Sequence, residues 1–254
     1  MKVSLITVTC NSAVYLEDCI QSVLRQQYNN IEYIIIDGGS TDGTIEIIKK
    51  YEQHIANWIS EKDGGMFDAI NKGIALATGD IVGTINSDDI YASGDVISSI
   101  VECFYKYKSD AVYGDLVYVL KWDVTAMTRY WKGFAYKRFR FAYGWMPAHP
   151  TFYIRRKVLL EGGGYITHYF SSADYELMAR YLYRYRISAT YLPKLFIKMR
   201  VGGQSNLTLK GRLRANRRDY LAMKINSIPF PFLVSVLKPV IKMHQYYYLL
   251  FHKI

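Results

Sequence analysis

The sequence predicts an α/β fold, with a mostly parallel β-sheet covered by helices on both faces and a basic, aromatic helical extension after it. Two observations support this prediction. Short apolar, β-branched runs alternate with amphipathic segments through the first 86 residues, which is typical of βαβ units whose strands are buried on both faces. The chain has 254 residues, 50% of them hydrophobic, which is enough for one such domain with an appendage.

The first half of the chain contains the clearest elements. The run VSLITVT at 3–9 predicts a buried strand, and apolar residues at helical spacing predict a helix at 13–26. The elements that follow are a strand at 31–40, a helix at 41–53, a short strand and turn at 57–65, a helix at 66–77 and a strand at 81–86.

The second half is less regular, and beyond residue 115 it consists of aromatic and basic segments of mixed character. A helix is predicted at 171–185, because a serine pair suits its N-cap and two acids occupy its first turn. The predicted domains are a main domain at 1–205 and an amphipathic helical extension at 206–254.

Charge is distributed unevenly along the chain. Residues 1–128 carry 9 Lys/Arg and 18 Asp/Glu, residues 129–197 carry 12 and 3, and residues 198–254 carry 11 and 1. The net charge of +10 therefore belongs to the last fifth of the chain, which favours contact with an anionic surface. A nucleic-acid-binding module would need basic and aromatic residues on one platform, whereas the half that forms the predicted cleft is acidic.

The three cysteines, Cys10, Cys19 and Cys103, form no CxxC pair. Their number and spacing argue against a disulfide framework and against a zinc site. The first residues show no secretory signal, because their apolar stretch is too short. We therefore expect a cytoplasmic protein.

Ligands of parallel α/β sheets bind beyond the carboxyl ends of the strands. The segments at these ends are Thr7–Asn11, Asp37–Ser40, Lys62–Gly65 and Asn86–Asp89. The acids brought together there are costly unless a cation neutralises them, and Mg²⁺ or Mn²⁺ prefers such oxygen ligands. A bound divalent ion would favour an anionic ligand such as a diphosphate. The alternative is a polar turn in which Asp88 or Asp89 caps the next segment.

Six motifs, in this order and at these intervals, resemble one family. SLITVTCN, YIIIDGGSTDGT, DAINKGIALATGDIVGTINSDD, HPTFYIRR, ADYEL and GGQS are similar to the second family of inverting glycosyltransferases, with the GT-A fold. Within that family they look most like bacterial enzymes that assemble O-antigen and capsule repeat units. The resemblance covers about residues 1–205. It implies transfer of a sugar from a nucleotide-sugar donor, UDP by default rather than GDP, to a glycan acceptor, often lipid-linked.

The resemblance also implies roles for individual residues. Those expected to contact the nucleotide or donor are Thr7, Thr9, Asn11, Asp37, Asn86, Ser87 and Asp88. Lys62 and Asp63 are further candidates for the nucleotide or donor sugar, because they end the third strand. Asn86 stands where the family's DxD element has its first aspartate, so Asp88 becomes the main ligand of Mn²⁺ or Mg²⁺. Asp89 is expected to support the turn.

The family's catalytic base maps to Asp174 in ADYEL. An acceptor hydroxyl becomes nucleophilic only if a base accepts its proton as the new bond forms. Glu176 is the rival base, and the alternative role for Asp174 is a first-turn acid favoured by the helix dipole. Acceptor or diphosphate contacts are expected from His149, Gln204 and Ser205, although a turn would also explain these residues.

The extension beyond residue 205 lies outside the resemblance. A basic cluster is followed by an aromatic, apolar segment, a combination that favours peripheral attachment to an anionic membrane. Packing on the main domain or a homodimer contact are the alternatives. No apolar run reaches the roughly 18–20 residues of a transmembrane helix. We expect a peripheral protein on the inner face of a bacterial cell membrane.

Two other classes of protein remain as alternatives. A nucleotidyltransferase-like enzyme would share a similar sheet and metal use, but it needs a glycine-rich basic loop after the first strand, and VTCNSAVYLED offers none. A non-enzymatic module that binds nucleic acid or membrane is the second of these alternatives. Binding of nucleotide sugars would separate the first interpretation from these two.

Overall fold

The computed structural model describes residues 1–202, 209–242 and 245. Its strands are β1 (Val3–Thr9), β2 (Ile31–Asp37), β3 (Asn57–Ser60), β4 (Ile81–Asn86), β5 (Ile90–Tyr91), β6 (Ala111–Val119), β7 (Met127–Trp131), β8 (Tyr153–Arg155) and β9 (Ala189–Arg200). Its α-helices are α1 (Leu16–Leu24), α2 (Thr44–Lys50), α3 (Met66–Leu76), α4 (Val96–Tyr107), α5 (Arg156–Gly162), α6 (Ala173–Met178), α7 (Leu209–Ile225) and α8 (Pro231–Lys242).

All nine strands belong to one sheet, in the order β3-β2-β1-β4-β8-β6-β9-β5, with β7 paired to β6. The α/β class and the parallel pairing predicted for the first half are confirmed, because β1, β2, β3 and β4 pair in parallel. The second half adds antiparallel pairs at β4–β8, β6–β8, β6–β7 and β5–β9 and one parallel pair at β6–β9. The complete sheet is therefore mixed.

Helices cover both faces of the sheet and enclose two apolar cores. Along β1, Val3 and Leu5 pack with α1 on one face, whereas Ile6 and Val8 pack with α3 on the other. A strand that is buried on both faces reads as a continuous apolar run, which explains why these strands were predictable. The carboxyl ends of β1, β2, β3 and β4 meet at one edge of the sheet, as expected.

Gly83 in β4 permits a close contact with the next strand. A Cβ atom there would lie 2.1 Å from ring carbon Cε1 of Tyr153, which is completely buried and whose hydroxyl lies 2.5 Å from that of Tyr91. We expect Gly83→Ala to lower the free energy of unfolding by about 1–3 kcal/mol, because overpacking must displace this ring. Urea unfolding measures the effect.

Gly64→Ala is the matched control for this prediction. A Cβ atom at Gly64 would meet Asp68 at 3.6 Å, an ordinary contact, so its free energy of unfolding should stay within about 0.5 kcal/mol of the parent protein. If the unfolding curves of Gly83→Ala and Gly64→Ala coincide, the close contact assigned to Gly83 and the Tyr153 ring is contradicted.

The helix predicted at 171–185 is built from three kinds of turn. A 3₁₀ segment at Thr167–Ser172 leads into α6, and a π-helical segment at Ala179–Arg184 follows it. Ser172 occupies the N-cap position as expected, but its hydroxyl makes no capping bond. It donates instead to the carbonyl oxygen of Ala215 in α7, at 3.2 Å, and so ties the segment before α6 to the C-terminal extension.

The described part of the extension is a pair of helices, α7 and α8, that packs on the main core. Ala222, Met223, Ile228 and Val234 are buried in the same cluster as Tyr175 of α6. Within the described ranges, no helix is both long enough and apolar enough to cross a bilayer.

Candidate functional site

The end of β1 is joined to the loop after β2 by polar contacts. Asn11 has a left-handed backbone, with φ 49°; its amide N donates to the Ser40 hydroxyl at 2.7 Å and its Oδ1 accepts from the amide of Thr41 at 2.9 Å. Thr9 at the strand end is buried, and its hydroxyl has no hydrogen-bond partner in the described structure. Asn11 and Thr9 thus lie at the edge where they were predicted.

Thr7 has a different environment from the one predicted. Its side chain is completely buried, and its hydroxyl lies 3.0 Å from that of Tyr33 in β2 and 3.9 Å from the sulfur of Cys19 in α1. This placement inside the core argues against a contact between Thr7 and a nucleotide. Alternate residues of a strand point to opposite faces, and the hydroxyl of Thr7 faces α1.

Asp37 at the end of β2 shapes its own loop. Its Oδ2 accepts hydrogen bonds from the amides of Gly39 and Ser40 and from the hydroxyl of Ser60, at 3.0, 2.9 and 2.7 Å. The Ser40 hydroxyl also donates to Oδ1. Because the carboxylate is completely buried, a base or ribose bound by Asp37 would have to share an oxygen with the loop.

The end of β3 converges on the same place. The Oδ1 of Asp63 accepts from the amide of Gly65 at 2.8 Å, and its Oδ2 lies 2.9 Å from where a Cβ atom on Gly38 would be. Partial burial raises the pKa of the Cys10 thiol, and the charges of Asp37 and Asp63 raise it further. The predicted convergence of acids at this edge is therefore present, and Lys62 beside them is exposed.

The turn after β4 places its two acids in unequal environments. Asp89 is completely buried, with Oδ2 accepting from Nδ2 of Asn86 at 2.8 Å and Oδ1 without a hydrogen-bond partner among the described residues. Asp88 is half-buried. Burial raises the pKa of both carboxyls; the charge of Asp88 adds to the effect on Asp89, and Arg200 opposes it at both. The hydroxyl of Ser87 donates to that of Ser12 at 3.0 Å.

Arg200 at the end of β9 is a site residue that the sequence analysis did not single out. Its guanidinium donates to the backbone oxygen of Asp88 at 2.8 Å and to Oδ2 of Asp18 in α1 at 2.6 Å, and it lies over the ring of Tyr15, 5.2 Å from the centroid. Since only 6% of its surface is exposed, Arg200 fixes the turn that carries Asp88. A basic residue two positions before the GGQS motif was the available signal.

We expect Arg200→Gln to weaken donor binding about tenfold and to lower the melting temperature. The shorter neutral side chain leaves the Asp88 carbonyl without its donor, and a lost hydrogen bond from a charged group costs about 1.5–3 kcal/mol. Calorimetric titration with a nucleoside diphosphate and Mn²⁺ measures the affinity for the nucleotide part of the donor. Lys194→Gln removes a cation that contacts Asp95, away from the Asp88 turn, and should leave affinity unchanged; equal losses in both variants would contradict the role of Arg200.

The candidate base exerts its charge on buried His149 and on half-buried Tyr165. Asp174 is half-buried in the first turn of α6 and has no ion-pair partner within the described ranges. Burial lowers the pKa of His149, whereas the charge of Asp174 raises it. The Nε2 of His149 is 2.6 Å from the hydroxyl of Tyr165. His149 thus has a protein partner and orients the hydroxyl of Tyr165.

The segment that carries Tyr165 is fixed by helix α3. Asn71 accepts a hydrogen bond from the backbone amide of Tyr165 and donates one to its carbonyl oxygen, each at 2.8 Å. Phe67 stacks on the Tyr165 ring at 5.1 Å. The segment His149–Thr151 lies ahead of β8, which runs antiparallel to β4, so it extends toward the sheet edge that carries Asp88.

Glu176, the rival base, is engaged in a buried ion pair. It is 1% exposed and pairs with Arg180 at 3.1 Å. Arg180 also donates to the carbonyl oxygens of Gly162, Gly163 and Gly164. A carboxylate that is committed to a buried cation cannot readily accept a substrate proton, so the geometry favours Asp174.

The oxygen donors of the β4 turn fit a divalent cation of the Mg²⁺ type. Mg²⁺ is usually held by one or two carboxylates together with substrate phosphates and water. Asp88 offers a half-exposed carboxylate, and Asp89 beside it has a buried, unpartnered oxygen. Among the described residues there is no cluster of three or more metal-binding side chains. Gln204 and Ser205, which were predicted to contact acceptor or diphosphate, lie outside the described residues.

Comparison with known sequences agrees with this arrangement. A family model described as "Glycosyl transferase family 2" matches residues 4–171. A PGL/p-HBAD biosynthesis glycosyltransferase of Mycobacterium bovis is 28% identical over 181 residues, or 70% of this chain and 68% of that protein. An uncharacterized glycosyltransferase of Mycobacterium tuberculosis is 42% identical over 101 residues, or 39% of this chain and 38% of that protein. The matched part thus spans well under half of the second relative.

Solved structures show the same fold. S. aureus TarS has a TM-score of 0.68 at 19% identity, with 90% of this chain and 39% of TarS covered. The mannosyltransferase PcManGT from Pyrobaculum calidifontis, solved with GDP-Man and Mn²⁺, has a TM-score of 0.65 at 18% identity, with 93% and 68% covered. The predicted GT-A fold is confirmed. Because the family model matches more than half of the chain, the protein belongs to glycosyl transferase family 2.

Proposed function

We propose that this glycosyltransferase transfers a sugar from a nucleotide-sugar donor to a glycan acceptor, with inversion at the anomeric carbon. The observation that carries this proposal is the contrast between two carboxylates. Asp88 lies in the turn fixed by Arg200, at the edge where the parallel strands end. Asp174 is half-buried in the first turn of α6, with no ion-pair partner in the described part of the chain. The Asp88 carboxylate suits the binding of a cation together with a diphosphate, whereas the Asp174 carboxylate suits the acceptance of a proton.

Inversion requires the acceptor hydroxyl to attack the anomeric carbon from the side opposite the leaving nucleoside diphosphate. Asp174 would accept the hydroxyl proton as the new C–O bond forms and the C–O bond to the diphosphate breaks. Tyr165, held by His149 and Asn71, would limit the position of the acceptor beside Asp174. Asp88, with Asp89 behind it, would hold Mn²⁺ or Mg²⁺, which stabilises charge on the departing phosphate when bound.

UDP is the proposed donor base, and GDP is the alternative. S. aureus TarS has been solved with UDP and with UDP-GlcNAc, and PcManGT with GDP-Man, so the shared fold accommodates both bases. The proposed acceptor is a lipid-linked glycan of bacterial surface polysaccharide, either O-antigen or capsule. The proposed location is the inner face of the cell membrane, which the basic C-terminal extension supports.

A thermal-shift panel of UDP-sugars and GDP-sugars with Mn²⁺ or Mg²⁺ tests the donor assignment. A ligand that binds only the folded state raises its stability with the logarithm of ligand saturation, by about 2.7 kcal/mol at a hundred times Kd. We expect a UDP-sugar to give the largest shift. If no nucleotide sugar shifts the melting temperature, and the protein instead binds RNA or DNA tightly, the proposed function is wrong.

A further inference from the structure

The end of the turn between α7 and α8 and the first turns of α8 expose large apolar side chains. Phe230 and Phe232 are 74% and 75% exposed, and Leu233 and Val236 are 53% and 54% exposed. Residues 232, 233 and 236 lie on one side of α8, whereas Val234 and Ser235 on its other side are buried against the protein. Over residues 232–236 the helix therefore packs its inner side on the core, whereas its outer side is apolar yet exposed.

A neighbouring segment extends this apolar surface into the main domain. Helix α8 packs against the 3₁₀ segment Arg138–Tyr143, in which Phe139 and Tyr143 are 58% and 56% exposed. We call the six exposed residues Phe139, Tyr143, Phe230, Phe232, Leu233 and Val236 the aromatic face. It combines residues from the domain that carries Asp174 with residues from the extension.

Exposed basic side chains lie on the elements that carry or adjoin the aromatic face. Lys137 and Arg138 are exposed beside Phe139, and Arg214, Arg217 and Lys224 are exposed on α7. Residues 129–254 contain 23 Lys/Arg and 4 Asp/Glu, and one of those acids, Glu176, is buried in an ion pair. The first 128 residues are acidic by comparison, so the aromatic face lies in the cationic half of the chain.

We propose that the aromatic face inserts into the interface of an anionic lipid bilayer. Exposed aromatic and aliphatic side chains next to Lys and Arg suit the boundary between headgroups and acyl chains, where apolar burial and attraction to anionic lipid act together. A second copy of the chain would bring another strongly cationic surface to the same place, and like charges oppose that contact. The bilayer satisfies both the apolar and the charged parts of the surface.

Such binding would place the candidate base close to the membrane. Helix α7 packs directly on the segment before α6: Ser172 donates to the Ala215 carbonyl, and the guanidinium of Arg218 lies 4.4 Å from the ring centroid of Phe170. The α7–α8 helix pair that would contact the lipid therefore also contacts the segment that precedes α6, the helix that carries Asp174. This consequence rests on the proposed function, whereas membrane binding itself does not.

Vesicle flotation tests the proposal with the whole 254-residue chain. The vesicles contain phosphatidylcholine alone or equal parts of phosphatidylcholine and phosphatidylglycerol. We expect flotation with the anionic vesicles only, weakened by salt. The variant Phe230→Ser/Phe232→Ser/Leu233→Ser should lose about tenfold in partitioning. The matched control, Leu24→Ser/Tyr107→Ser/Leu120→Ser, replaces three exposed residues of the acidic half and should float like the parent protein.

Two results would overturn the proposal. One is unchanged flotation of the Phe230/Phe232/Leu233 variant. The other is a dimer, seen by sedimentation velocity without lipid, that this variant abolishes while vesicle binding persists, which would make a second copy the occupant. Thermal shift by nucleotide sugar is measured on the same samples. If no sugar binds but flotation behaves as expected, the proposed function fails and the membrane surface stands.

Discussion

Asp174→Asn is expected to lower kcat by about a thousandfold while leaving donor affinity and melting temperature close to those of the parent protein. The amide keeps the size of the side chain but cannot accept the acceptor's proton, and general base catalysis typically contributes about 10²–10⁴-fold. Asp174 is half-buried and makes no ion pair with any described residue, so its replacement has little structural cost. Initial rates of nucleoside diphosphate release, measured with and without acceptor, give kcat.

Glu176→Gln is the matched control, since it makes the same chemical change two residues away. Glu176 is buried against Arg180, and loss of one partner of a buried pair leaves an uncompensated charge that costs about 3–5 kcal/mol. This variant should therefore lose stability in urea unfolding, and protein that remains folded should keep its kcat. The reverse outcome, with Glu176→Gln inactive but stable and Asp174→Asn active, would identify Glu176 as the base.

The sheet edge was predictable because local sequence and tertiary environment agree there. Strands β1, β2 and β4 are apolar on both faces, and each ends at a polar or glycine residue that begins a loop. Parallel topology then brings Asp37, Asp63 and the Asn86–Asp89 turn to one edge. The family motif does not show that the Thr7 side chain is committed to the core, because its hydrogen-bond partner Tyr33 lies on another strand.

Strand β6 was missed because two of its residues resemble turn formers. Gly114 and Asp115 interrupt the apolar run AVYGDLVYV. In the structure, the missing side chain of Gly114 makes room for the ring of Phe196. The buried carboxylate of Asp115 accepts hydrogen bonds from the hydroxyls of Tyr130 and Tyr191, both at 2.8 Å. Its partners lie 15 and 76 residues away, so no local pattern identifies this position as a strand.

The choice between Asp174 and Glu176 needed the structure for the same reason. Both acids occupy the first turn of α6, and helix periodicity alone does not say which one meets a cation. The Arg180 side chain is held beside Glu176 because it also donates hydrogen bonds to three backbone carbonyls of the glycine run that begins at the last residue of α5. That contact depends on the path of a loop 16 to 18 residues upstream, which local propensity does not determine.

Asp88→Asn is expected to weaken Mn²⁺-dependent binding of a nucleoside diphosphate by about a hundredfold, with a corresponding loss of activity. Asn86 stands in place of a first carboxylate, so the removal of Asp88 leaves Asp89 as the turn's one remaining acid. Asp89 is completely buried and engaged with Asn86, which limits its approach to an ion shared with a diphosphate. Calorimetric titration of the diphosphate, with Mn²⁺ and with EDTA, separates the metal-dependent part of the affinity.

The same geometry predicts the order in which the ligands act. One half-exposed carboxylate and a buried neighbour supply few of the six oxygens that such an ion needs, so the ligand-free protein should hold Mn²⁺ weakly and the diphosphate should strengthen the binding. Asp68→Asn is the control: Asp68 is a partly exposed acid that accepts a hydrogen bond from the Gly64 amide, and its replacement should leave Mn²⁺ affinity unchanged. Sub-micromolar Mn²⁺ binding without nucleotide, or equal losses in Asp68→Asn and Asp88→Asn, would contradict the assignment of Asp88.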